Sequence, residues 1–124
     1  MTAPAIGLSW TQIALLCSYA VGMAGGQLLF KAAAQRVPAA GLVERLMGLA
    51  LNGWFIAALA LYFALSLMWV WVLTFTPLSR AYPFVALAFA ITPLLGGLIF
   101  GEPLSLRLLV GIAVIAIGIV ILAE

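Results

Sequence analysis

The placement of charge constrains this chain more than any other feature. Only eight side chains are formally charged, Lys31, Arg36, Glu44, Arg45, Arg80, Glu102, Arg107 and Glu124, and they leave four uncharged, apolar runs between them. These runs cover about residues 10–30, 54–75, 81–100 and 108–123. A helix needs roughly 20 apolar residues to cross the hydrocarbon core of a bilayer, so each run predicts a transmembrane helix. The last is short, about 24 Å at a rise of 1.5 Å per residue. Arg107 and Glu124 at its ends would snorkel to the interface or thin the bilayer locally.

Composition supports lipid as the solvent. Hydrophobic residues make up 68% of the chain and charged ones 6%, with a mean hydropathy of +1.35; soluble domains run at about 45–50% and about 25%. A water-soluble fold of this size could not hide so much apolar surface. The expectation is an all-α membrane protein, residues 1–124 forming a single four-helix transmembrane domain with short loops.

The same scarcity excludes much chemistry. With no histidine and three acids, metal sites and acid–base machinery lack raw material. No enzyme activity, metal or cofactor is expected. Nucleic-acid binding needs clustered basic residues, and none are clustered here. Cys17 stands alone and forms no internal disulfide.

The breaks between the runs are readable. Residues 31–53 hold Arg36, Pro38, Gly41, Glu44, Arg45 and Asn52, and Leu42, Leu46 and Leu49 with Val43 fall at helical spacing. A short interfacial helix is expected there. Residues 76–80 (Thr-Pro-Leu-Ser-Arg) predict a tight turn. Gly101 is placed as a left-handed cap, with Pro103 barring continuation and Ser105 capping the fourth helix. Connections this short predict that the last three helices are antiparallel neighbours. The first run follows no basic segment and is too long for the core of a secretion signal, so it predicts a retained span.

Positive charge sets the expected orientation. The first and third loops share one side and carry Lys31, Arg36, Arg45 and Arg107, against Arg80 alone on the other. Both termini are therefore expected on the non-cytoplasmic side.

Polar groups within a bilayer are costly and are candidates for function. Gln27 and Lys31 lie one turn apart on one face of the first helix, after Gly25 and Gly26. The glycines read as a helix-packing surface or as a place for close approach of a ligand. Lys31 reads as part of a site or as a snorkelling end. Pro93 in the third span frees a carbonyl and predicts either a hinge or a tolerated proline, whereas Pro83 is expected in the first turn, where it costs little. Glu102 lies on the Lys31 side, either receiving a cation or closing a gate against a base, or resting as an interfacial acid beside Arg107. Trp69 and Trp71 read first as interfacial anchors. Gly111 and Gly118, seven residues apart, predict a close helix contact, with a dimer interface preferred to packing within the protomer.

Three short patterns together resemble a known group. Gly26-Gln27-Leu-Leu-Phe-Lys31, Pro77-Leu-Ser-Arg-Ala-Tyr82-Pro83 and Phe100-Gly-Glu-Pro103 look like small multidrug-resistance-type proteins of the drug/metabolite transporter superfamily, which shares parts with EamA-type transporters. The match is nearest to the paired four-span subunits that flip undecaprenyl-phosphate-linked aminoarabinose. The resemblance covers nearly the whole chain and departs from the proton-coupled exporters at two places. Their glutamate eight residues before the lysine is Met23 here, and their tryptophan three residues after the tyrosine is Val85. It therefore implies a bacterial inner-membrane flippase for a polyprenyl-phosphate-linked amino sugar, working as a homodimer or heterodimer among membrane lipids. Substrate contacts would come from Gln27, Lys31, Tyr82, Glu102 and Arg107. An exporter of small cationic drugs or metabolites, and a non-transporting accessory subunit, are the alternatives.

Overall fold

The computed structural model describes residues 8–123, and every regular element among them is helical. Helix α1 spans Trp10–Ala34 and α2 Leu42–Ala50. Helix α3 spans Gly53–Leu73. A third long run is built from α4 (Leu78–Ala81), a 3-10 turn (Tyr82–Val85) and α5 (Ala86–Phe100). Helix α6 covers Leu106–Ala123. Three helical runs, Trp10–Ala34, Gly53–Leu73 and Leu78–Phe100, are long and apolar enough to cross a membrane, and α6 is a shorter apolar helix. The chain is a multi-pass membrane protein. Glu124, read above as an anchor for the last helix, lies outside the described residues, as does most of the segment before α1.

Local chemistry sets the helix ends. Ser9 caps α1 in a reciprocal box: its hydroxyl accepts from the Gln12 N–H, and the Gln12 side chain accepts from the Ser9 N–H. Asn52 starts α3 by accepting from the N–H groups of Trp54 and Phe55 at 2.8 and 3.3 Å. Gly101 takes the left-handed conformation, φ 66°, that stops α5. Ser105 then accepts from the Leu108 N–H at 3.1 Å and opens α6.

The third run starts earlier than the sequence suggests. Residues 78–80 belong to the helix, because Pro77 enters with φ −59° and its carbonyl accepts from the N–H groups of Arg80 and Ala81. Proline has this angle built in and suits a helix start. Pro83 consequently falls inside the run instead of in its first turn. It cannot donate to the carbonyl one turn back, and the ladder tightens locally into the 3-10 turn. Pro93 lies within α5, which continues through it.

Packing corrects a second expectation. The helix that follows α3 in the chain does not pack along it: α1 lies between, packed on α3 to one side and on α5 to the other. The short connection requires only that the adjoining ends meet. They do so where Val72 joins Leu16, Ala81 and Phe84 in a buried cluster. Along their lengths the close approach is made by α1, whose Leu16, Ala20, Ala24 and Gly26 are buried. A Cβ on Gly22 would come within 2.8 Å of Leu65, and one on Gly26 within 2.6 Å of the Tyr62 ring. Small residues four apart let two membrane helices meet this closely. Helix α6 packs mainly on α5 and the 3-10 turn.

The two ends of the bundle differ. At one, Gln12 donates to the Phe75 carbonyl and to the buried Thr76 hydroxyl, both at 3.1 Å, tying the start of α1 to the end of α3. At the other stand Lys31, Arg36, Asn52 and Glu102. There Arg36 donates to the Ala32 carbonyl at 2.8 Å and lies 4.9 Å over the Trp54 ring. Helix α2 is beside this end, with Leu42, Val43, Leu46 and Met47 all exposed, the one-sided apolar pattern of an interfacial helix.

Candidate functional site

A cavity of about 290 Å³ opens between α1 and α5, lined by Met23, Gln27, Val85, Ala88, Phe89, Thr92 and Pro93. Gln27 and Phe89 are exposed on the flank of the protomer, so the cavity is a side-opening groove. Its volume falls just below the roughly 300–1,000 Å³ of sites for drug-sized ligands. The wall carries one amide, one hydroxyl and no charge.

Gln27 is held in the groove by a residue that the sequence did not single out. Its Nε2 donates to the Tyr62 hydroxyl at 2.7 Å, and that hydroxyl donates to the Met23 carbonyl at 3.1 Å. The Tyr62 ring fills the notch at Gly26 and stacks on Phe30, with centroids 5.2 Å apart. Tyr62 thus touches residues 23, 26, 27 and 30, one stripe along α1. The spacing of Gly22 and Gly26 was the available signal that this face meets another helix.

One turn beyond Gln27, Lys31 pairs with Glu102 at 3.4 Å, the side chains 47% and 48% exposed. Glu102 thereby pairs with Lys31 and not with its chain neighbour Arg107. Its carboxylate also lies 3.4 Å from where a Cβ on Gly96 would stand, so it folds back along α5. Lys31, in the last turn of α1, brings positive charge to the negative ends of both α1 and α5.

The remaining candidates are dispersed. Arg107 and Gly111 line a second cavity of about 400 Å³ between α5 and α6, which shares Phe89 and Pro93 with the first. Pro93 therefore lies in the wall between two cavities. Tyr82 is outside both; it stands edge-on to Trp69, which stacks on Tyr19 at 4.8 Å. Tyr19 precedes Lys31 by twelve residues of helix, about 18 Å. Trp69 is thus turned into the bundle, while Trp71 is exposed. A Cβ on Gly25, Gly111 or Gly118 would meet nothing within 4 Å. Gly25 therefore has no part in the packing at Gly26. No cluster of metal ligands exists among the described residues.

Fold and groove define a class: a multi-pass helical membrane protein with a groove opening on its flank. Comparison with known proteins narrows it. The chain is 39% identical over 70 residues to a protein of Enterobacter sp. (strain 638) named "Probable 4-amino-4-deoxy-L-arabinose-phosphoundecaprenol flippase subunit ArnE". The match takes in 56% of this chain and 65% of the relative. Proteins of the same name from Proteus mirabilis (strain HI4320) and Hamiltonella defensa match at 37% and 34% identity, over 62% and 52% of their lengths. The chain thus spans less than two thirds of the curated relatives it matches. The motif resemblance to aminoarabinose flippase subunits is borne out by these relatives. No family model matches the chain, and no solved structure does.

Proposed function

We propose that the chain is a subunit of an inner-membrane flippase that passes a polyprenyl-phosphate-linked amino sugar between leaflets. In this reading α6 is the fourth span. Both termini face away from the cytoplasm, and a second copy or a similar four-span subunit completes the transporter. The relatives' names support the substrate class.

The observation that carries the reading is the half-exposed Lys31–Glu102 pair one turn beyond Gln27. An exposed ion pair contributes only about 0–1 kcal/mol, so it opens readily. A head group bearing both a phosphate and an amine supplies a partner to each side: the phosphate goes to Lys31 and the ammonium to Glu102. Neither charge is then left alone, which a purely cationic or purely anionic ligand cannot achieve. The prenyl chain stays in lipid, because the groove opens sideways and holds only the head group. Met23 offers no titrating carboxylate, so movement is downhill or governed by the partner subunit.

The test is flipping of a short-chain polyprenyl-phosphate amino sugar in vesicles, with and without a co-expressed related subunit. Transport that needs both the phosphate and the amine is expected. Equal transport of quaternary ammonium drugs driven by a proton gradient would sink the reading.

A further inference from the structure

Tyr62 has one hydroxyl proton and two polar neighbours, and that count has consequences for what the groove can bind. The Met23 carbonyl, 3.1 Å from the hydroxyl, can only accept. If the proton pointed to Gln27 instead, two oxygens with no hydrogen between them would face each other at 3.1 Å. The proton therefore goes to Met23, and the hydroxyl oxygen must accept from Gln27, as the 2.7 Å contact to Nε2 records. An amide whose nitrogen is tied inward turns its Oε1 the other way. We propose that Tyr62 fixes the polarity of the Gln27 amide, so that the groove presents a carbonyl oxygen and selects a head group that donates hydrogen bonds there.

This deepens the function proposed above and rests on its placing of a head group at Gln27. It also divides the labour within the site. Phosphate oxygens only accept, so the outward Oε1 repels them and leaves them to Lys31. Hydroxyl protons of the sugar are what Gln27 takes, and the ammonium stays with Glu102. Tyr62 acts through Gln27 and is a positioning residue. Its own ring sits in the Gly26 notch and stacks on Phe30.

Tyr62→Phe keeps the ring and removes only the hydroxyl, so folding is expected to survive. Two measurements on the full chain in lipid nanodiscs read the consequence. The first needs no ligand. In protein labelled at glutamine side-chain nitrogen, with Gln27 assigned by loss in Gln27→Leu, one Nε2 proton should exchange more slowly than its geminal mate. In Tyr62→Phe that difference should vanish; if it persists unchanged, the relay is overturned.

The second uses two probes, a short-chain polyprenyl-phosphate amino sugar and its analogue with hydrogen in place of the ring hydroxyls. Wild type should prefer the hydroxyl-bearing probe, and Tyr62→Phe should lower that preference about two- to tenfold, the worth of one net hydrogen bond. Adding Gln27→Glu to Tyr62→Phe should restore it, because both carboxylate oxygens accept and need no orienting. A merely structural Tyr62 would show no such rescue, and an unchanged preference in Tyr62→Phe would overturn the selectivity. Wild type that binds neither probe, while the slow Gln27 proton is present and lost in Tyr62→Phe, counts against the flippase reading and supports the fixed amide.

Discussion

Lys31 and Glu102 are half exposed, which separates their effect on stability from their effect on binding. Removing the ammonium by Lys31→Ala costs about 0–1 kcal/mol, because water and lipid head groups still reach Glu102. Flipping should nevertheless fall severalfold, and Lys31→Arg should retain most of it, since the charge matters more than its shape. Thermal unfolding in detergent and flipping at matched protein levels check both halves. Gly26 behaves in the opposite way. Any side chain there collides with the Tyr62 ring at 2.6 Å, and overpacking of this kind costs roughly 1–3 kcal/mol. Gly26→Ala should therefore destabilise the fold more than Gly25→Ala, whose Cβ meets nothing, and a pair of melting curves decides it. At this scale the sequence pointed to some of the residues at the groove and its rim. Gln27 and Lys31 stand out because a polar group in an apolar run is costly wherever it lies. Tyr62 does not stand out, because an aromatic residue on α3 acquires a role only through the face of α1 that it meets.

The elements divide along the same line. Gly101, Ser105 and the break before α3 are local chemistry, and each end forms as its residues dictate. The insertion of α1 between α3 and α5 is not local, since apolar length says that a helix spans and nothing about what it spans beside. Pro93 offers a test within α5. Without its N–H the Phe89 carbonyl has no helical donor, and both residues line both cavities. Pro93→Ala restores that bond, so amide exchange around residue 93 should slow and flipping should slow with it; unchanged flipping would make the proline a tolerated one. In α6, a Cβ on Gly111 or Gly118 would meet nothing within 4 Å in the protomer. Replacing both with Leu should leave the melting temperature within a few degrees yet weaken association, as read by energy transfer between labelled copies in vesicles. Unaltered association removes this face from the interface.

For the molecule as a whole, the expected orientation rests on where the cations gather. Lys31, Arg36, Arg45 and Arg107 lie in or beside the connections at the Lys31 end, and Arg80 stands alone at the other. With Cys17 replaced by Ser, a cysteine at Arg36 should be shielded from an impermeant thiol reagent in intact cells and one at Ser79 should react; the reverse pattern would invert the topology. The central place of α1 has a further consequence, in the order of synthesis. Helix α1 leaves the ribosome before α3 and α5, yet it is the surface on which both of them settle. Its Gly22 and Gly26 notches and the Gln27 amide must wait in lipid until Leu65 and Tyr62 arrive, and its other flank until α5 is made. Nascent chains halted before α3 should therefore expose α1 to lipid-borne crosslinkers on every face. Those halted after α5 should be protected on two faces, so that α1 is enclosed only once both of the helices that follow it are made.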